Sequence, residues 1–222
     1  MSKVTSVKIF SSSELRKVKV IDNNEKLVSI RENCPNIQIK IADYISINGG
    51  QKALLDAEYA RESVVSMLNK AQSFLPWGFK LIIDSAYRSP KVQQESYDSI
   101  RSELISENPA WTRDMIQKEM DMRISPVDIA PHCAGSAVDL TIIDEKGSAL
   151  YMGTELDQFS KKTYTYSPLI SDKAKKNRQM LIDVMKKAGF VNFPAEWWHW
   201  SYGDREWALY EGKDAIYSVI ER

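Results

Sequence analysis

The chain holds only two cysteines and two histidines among 222 residues, and it has no surplus of either charge, since thirty Lys and Arg balance thirty Asp and Glu. Without a positive surplus the electrostatic footprint of phosphate-backbone binding is missing, so nucleic acid is not expected as a partner. Cys34 and Cys133 are too few for a disulfide framework or a CxxC metal clip. Two buried free thiols are the expectation, and a single Cys34–Cys133 bond is the alternative. No run of eighteen apolar residues suggests a membrane span, and the opening MSKVTSVKIFSSSELRK contains no apolar core of a signal peptide. A cytoplasmic address follows as an expectation. Repeats, low-complexity tracts and Pro/Gly/Ser linkers are also missing, so residues 1–222 read as one domain.

What is present is ordinary globular material, with 43% hydrophobic residues, enough for a core at this length. The first thirty or so residues are polar and read as irregular. Ile37, Ile39 and Ile41 alternate with polar residues, which predicts a half-buried strand ending near Gly49-Gly50. Ala57, Ala60, Val64, Leu68 and Ala71 have helical spacing, stopped by Pro76 and Gly78. FKLIID, 79–84, reads as a buried strand. Ser89-Pro90 combines an N-cap residue with a proline at the first helical position, so a helix starts there and Arg88 lies at a strand-to-helix corner. Thr112 and Ser171 are further N-caps, with Gly189 ending the second of those helices. AVDLTII, 137–143, and WHWSY, 198–202, read as strands, the first closed by the turn residues 144–147. Strands and helices intermix without regular βαβ alternation, which favours an α+β fold with a small antiparallel sheet flanked by helices.

Both histidines keep company suited to a metal. HCAGSAVD sets His132 seven positions before Asp139, with Gly135 allowing a bend between them, and EWWH sets Glu196 three before His199. Two neutral imidazoles and one carboxylate form a three-ligand set suited to Zn²⁺, with a fourth position left for water as in catalytic sites. A structural zinc needs a fourth protein ligand, and Cys133 is awkwardly adjacent to His132 for that role. Without a metal these would be two ordinary histidines, a strand-end aspartate and a solvated glutamate, because both spacings are short patterns. Zinc brings its water to a pKa of about 7, so Glu196 is assigned as the base that accepts the proton. Trp197, Trp198 and Trp200 would form a low-dielectric frame that raises that carboxylate's proton affinity; plain core packing is the alternative. Arg88 is suited to stabilise an oxyanion or clamp a carboxylate.

Taken in order, SAYRSP, HCAGSAVDL, MGTELD, NRQMLIDVMKKAGF and EWWHWSYGD resemble the zinc D-alanyl-D-alanine dipeptidases, within the wider group of D,D-peptidases that includes the D-alanyl-D-alanine carboxypeptidases. The motifs run through residues 80–204, while residues 1–50 diverge. The resemblance implies one zinc held by His132, Asp139 and His199, Glu196 as catalytic base, and Arg88 stabilising the tetrahedral intermediate. It implies Asp157 near the substrate's free amine, with Trp198 and Tyr87 as further substrate contacts, and a small dipeptide as the substrate. Two positions depart from the family pattern. Ala130 stands where a serine is usual, and Ser85-Ala86-Tyr87-Arg88 is closer to the carboxypeptidase form than to the dipeptidase form. A carboxypeptidase or endopeptidase acting on peptidoglycan stem peptides, and a non-catalytic zinc-stabilised binding module, are the competing functions.

Overall fold

The computed structural model describes residues 8–41 and 43–222, apart from the side chains of 43–49. Its strands are β1 (Leu27–Ser29), β2 (Gln38–Ile39), β3 (Tyr59–Arg61), β4 (Lys80–Ser85), β5 (Ala137–Ile143), β6 (Val191–Asn192) and β7 (His199–Ser201). The helices are α1 (Ser12–Leu15), α2 (Ile30–Asn33), α3 (Asp43–Asp56), α4 (Glu62–Phe74), α5 (Pro90–Glu107), α6 (Arg113–Met120), α7 (Asp172–Ala188) and α8 (Arg205–Glu211). Single 3₁₀ turns occupy Val127–Ile129 and His132–Ala134. The α+β class is as expected.

The main sheet runs β2-β4-β5-β7-β6. It is mixed rather than antiparallel: β2 lies parallel to β4, and only the other pairs are antiparallel. The long excursion through α3, β3 and α4 gives the chain room for the crossover that a parallel neighbour requires. The strand predicted to reach Gly49-Gly50 stops at Ile39, and those glycines lie within α3, which kinks where Gly50 takes φ +63°. The helical spacing from Ala57 also overshoots the helix itself. Tyr59–Arg61 pairs with β1 in a separate antiparallel ribbon, and α4 starts only at Glu62. Within the polar N-terminal stretch, Ser11 and Glu14 form a reciprocal capping box on α1, so that stretch is not wholly irregular; its residues 1–7 fall outside the described set.

The Ser89, Thr112 and Ser171 caps all form, each hydroxyl accepting from a backbone N–H three residues on. Gly189 ends α7 in the left-handed region. Strand β5 occupies 137–143 as predicted and is buried along its whole length. The alternation of a strand explains why. Val138, Leu140 and Ile142 join the core that Val64, Leu68 and Ala71 of α4 and Leu181, Val184 and Met185 of α7 build against the sheet. Asp139 therefore projects from the opposite face, beneath the α5 side of the molecule, where it meets a cleft. Cys34 and Cys133 are both free and buried. Among the described residues no helix is long and apolar enough to cross a membrane.

Candidate metal centre

Register places the first two donors. Asp139 on β5 is directly opposite His199 on β7, and residues facing each other across an antiparallel pair share one face. The third arrives from the 3₁₀ turn at His132, which Gly135 closes with φ +68° before the chain enters β5. The left-handed φ is what calls for glycine at this bend; a Cβ there would also press on the Leu27 side-chain tip, which has room to turn aside. The turn is clamped from behind. Arg61 donates from Nε to Ala134 O at 2.8 Å and from its backbone N–H to Gly135 O at 2.8 Å.

The convergence is close. His132 Nε2 lies 3.2 Å from Asp139 Oδ2, His199 Nδ1 lies 3.0 Å from Asp139 Oδ1, and one donor atom from each of the three residues falls within 4.8 Å of the others. Tetrahedral donors with bonds of about 2.0–2.2 Å sit roughly 3.3 Å apart, so the spacing fits one small divalent ion. The protonation pattern fits too. His132 Nδ1 faces Ala86 O at 2.5 Å, so Nδ1 carries the hydrogen and Nε2 is the bare nitrogen turned to Asp139.

Burial lowers the His132 pKa and favours its neutral, metal-binding form, against the opposing pull of Asp139. For Asp139 burial works in the raising direction, but His132 and His199 overcome it and hold the carboxyl well below its usual range. His199 is raised to about 9: burial opposes the charged ring, and the hydrogen bond to Asp139 outweighs it. In the absence of a cation, His199 and Asp139 thus form an ion pair, and a divalent ion would displace that proton.

Glu196 Oε2 stands 3.9 Å from His199 Nδ1. Its pKa is raised well above the usual carboxylate value, first by burial and then by the charges of Asp139 and Asp157, against the lowering effect of His199. The turn that carries it is held by Asn192, whose Nδ2 donates to the carbonyls of Glu196 and His199 at 3.0 and 2.9 Å. Asp157 lines the same cleft, and burial together with Asp139 raises it to about 6, Arg88 opposing. Its backbone takes φ +58°, a left-handed conformation that aspartate tolerates better than most residues.

Arg88 occupies the corner between β4 and α5 and lines the cleft. Sequence reasoning missed the residue that orients it: Gln93, buried on the first turn of α5, accepts from Arg88 Nη1 at 3.1 Å and donates to Ser125 O at 2.6 Å. A glutamine five residues after the arginine, just inside a capped helix, was the available signal. Glu206 was missed without any such signal; it is a buried cleft residue that burial raises to about 8.

Two expectations need correction. Of the three tryptophans, only Trp198 lines the cleft, whereas Trp197 and Trp200 are buried in the main core and pack against their own neighbours. Trp200 Nε1 donates to Trp197 O at 3.2 Å, and the Trp197 and Trp198 rings meet edge to face at 5.4 Å. Trp197 and Trp200 thus pack behind the turn in the core, and Trp198 is the one of the three that shares the cleft with the carboxylate. Tyr87 does not line the cleft either; it is buried, and its hydroxyl donates to Ile220 O at 2.8 Å. Ala130, the position without the usual hydroxyl, is a cleft residue.

An α+β fold whose sheet directs two imidazoles, an aspartate and a desolvated glutamate into one cleft offers the donor set and adjacent carboxylate used by the metallopeptidase class. Within it the chain belongs to the D-ala-D-ala dipeptidase family of M15 peptidases, whose model matches residues 23–219. A D-alanyl-D-alanine dipeptidase from Synechocystis sp. is 28% identical over 153 residues, which cover 59% of this chain and 62% of that relative. The chain thus spans under two thirds of that relative's length. Another from Escherichia coli is 25% identical over 182 residues, covering 81% and 86%. Among solved structures, an LD-carboxypeptidase, LdcB, aligns at a TM-score of 0.46 with 15% identity, over 88% of this chain and 77% of that one.

Proposed function

We propose that the chain, acting as a single domain, hydrolyses D-alanyl-D-alanine or a similarly small dipeptide with one zinc ion held by His132, Asp139 and His199. The observation that carries the reading is the convergence of those three side chains within 4.8 Å, with Glu196 3.9 Å from one of them. When bound, zinc supplies Lewis acidity, which acidifies water and polarises a carbonyl oxygen. Glu196 takes the proton from water as its oxygen adds to the scissile carbonyl carbon. When the C–N bond breaks, Glu196 returns that proton to the leaving nitrogen. Burial raises its proton affinity, which strengthens it as the group that takes the proton. Arg88, steadied by Gln93, offers its guanidinium to the oxyanion. Asp157 pairs with the substrate ammonium, and Trp198 lies against the substrate.

The test measures metal content of the purified chain and release of D-alanine from D-alanyl-D-alanine, with and without chelator. One equivalent of zinc and chelator-sensitive release are expected. Preferential trimming of a peptidoglycan pentapeptide over the free dipeptide would defeat the dipeptidase reading in favour of the carboxypeptidase one. Zinc without hydrolysis of either would leave a binding module.

A further inference from the structure

Arg178 on α7 is 1% exposed, and a buried guanidinium is expensive unless its donors are met. Its partners are three backbone carbonyls instead of a carboxylate: Nε donates to Met152 O at 2.7 Å, Nη1 to Tyr164 O at 2.7 Å and Nη2 to Lys162 O at 2.9 Å. Those carbonyls bracket the segment 152–164, which contains Asp157. The same guanidinium lies 5.4 Å from the centre of the Trp197 ring. Trp197 is tied to the segment twice more, by its indole N–H to Thr154 Oγ1 at 2.9 Å and its backbone N–H to Thr163 O at 3.1 Å. Gly153, with φ +94°, is packed so tightly that a Cβ there would meet Ile170 Cγ2 at 2.7 Å. Between these fixed points Asp157 holds φ +58°. A non-glycine residue persists in that region when its surroundings over-determine it.

We infer that Arg178 is a specificity-determining positioning residue: by clamping both ends of the 152–164 segment onto α7, against the Trp197 ring of the turn that carries Glu196, it holds Asp157 at the distance from the base that a dipeptide's amine end requires. The inference rests on the reading of Asp157 as the ammonium anchor. A segment free at one end would leave the cleft and the metal donors intact while the anchor wandered. Arg178→Lys keeps the charge but cannot bond three divergent carbonyls at once.

The experiment is a double-mutant cycle on the zinc-loaded chain with D-alanyl-D-alanine, comparing the unaltered protein, R178K, D157N and the double variant. R178K is expected to raise KM about tenfold with kcat changed by less than about threefold, and to have almost no further effect on KM in the D157N background. Hydrogen exchange of the 153–163 amides should quicken in R178K while zinc stoichiometry is unchanged. Equal losses from R178K in both backgrounds, or a loss confined to kcat, would overturn the inference. D157N with an unaltered KM would instead remove the underlying reading of Asp157. Should R178K fail to fold, Thr154→Val cuts the segment's bond to Trp197 without disturbing a buried cation, and the same non-additivity with D157N is required of it.

Discussion

Glu196→Gln keeps the volume of the base and removes its ability to hold a proton, so turnover is expected to fall by about 10²–10⁴ with zinc content unchanged. Steady-state assay alongside metal analysis checks both halves; retained turnover would reject Glu196 as the base. His132→Ala and His199→Ala differ in kind, since each is expected to lose the metal and with it the activity. Asp157 gives a pH signature. Its folded pKa of about 6 means that the carboxylate is charged above that pH and neutral below it, so kcat/KM for a free dipeptide should fall as pH drops through about 6. In Asp157→Asn that component of the profile should vanish, and an unchanged acid limb would count against the ammonium contact. The His132, Asp139 and His199 cluster was legible as residues because histidine is so scarce here. The supports were not, because Ala86 O, Gln93 and Arg178 act through positions that only the folded backbone brings near.

At the scale of elements, the turn from His132 to Gly135 is the most exacting piece. Gly135→Ala forces a left-handed φ on a residue with a Cβ and makes the Leu27 side chain turn aside at the turn that carries His132, and should weaken zinc binding by about tenfold or more in chelator competition. Gly147→Ala is the matched comparison: φ is +79° with open space around it, so a cost of roughly 1 kcal/mol in stability and none in zinc affinity is expected. Equal effects on zinc would show that the packing at Gly135 is immaterial to the site. Elements with local signals were read well: the Ser89, Thr112 and Ser171 caps and the run AVDLTII all sit where their chemistry put them. The ribbon β1–β3 carried no such signal. Tyr59–Arg61 is a strand because Leu27–Ser29 lies beside it, and its alanine had helical spacing by coincidence.

For the molecule as a whole, metal and protons are linked to stability. Zinc that binds only the folded state stabilises it by about 2.7 kcal/mol at a hundredfold excess over Kd, so chelator should lower Tm. The chelated protein should also lose stability between pH 6.5 and 8. Glu206 at about 8, against 4.5 ordinarily, and His199 at about 9, against 6.5, both bind protons more readily when folded, so the stability they contribute drains as pH rises through those values. Below 6.5 the depressed His132 acts with the opposite sign, which is why the window starts there. Thermal melts with and without zinc across that range check the sign, and a Tm that climbs from pH 6.5 to 8 in chelator would contradict it.

The order of strand-like and helix-like patterns determined the α+β class without coordinates, and the ordered motifs from Arg88 to His199 determined the family resemblance and which side chains would gather. These are properties of residue type and local spacing. Tertiary structure alone decided that β2 joins the sheet in parallel, that Trp197 and Trp200 serve the core while Trp198 faces the cleft, that Tyr87 turns to the C-terminal segment, and that Arg178 fastens the segment bearing Asp157. The reason is physical: which face a side chain presents, and which carbonyl a buried donor finds, depend on strand register and on packing between residues tens of positions apart, and no local pattern encodes either.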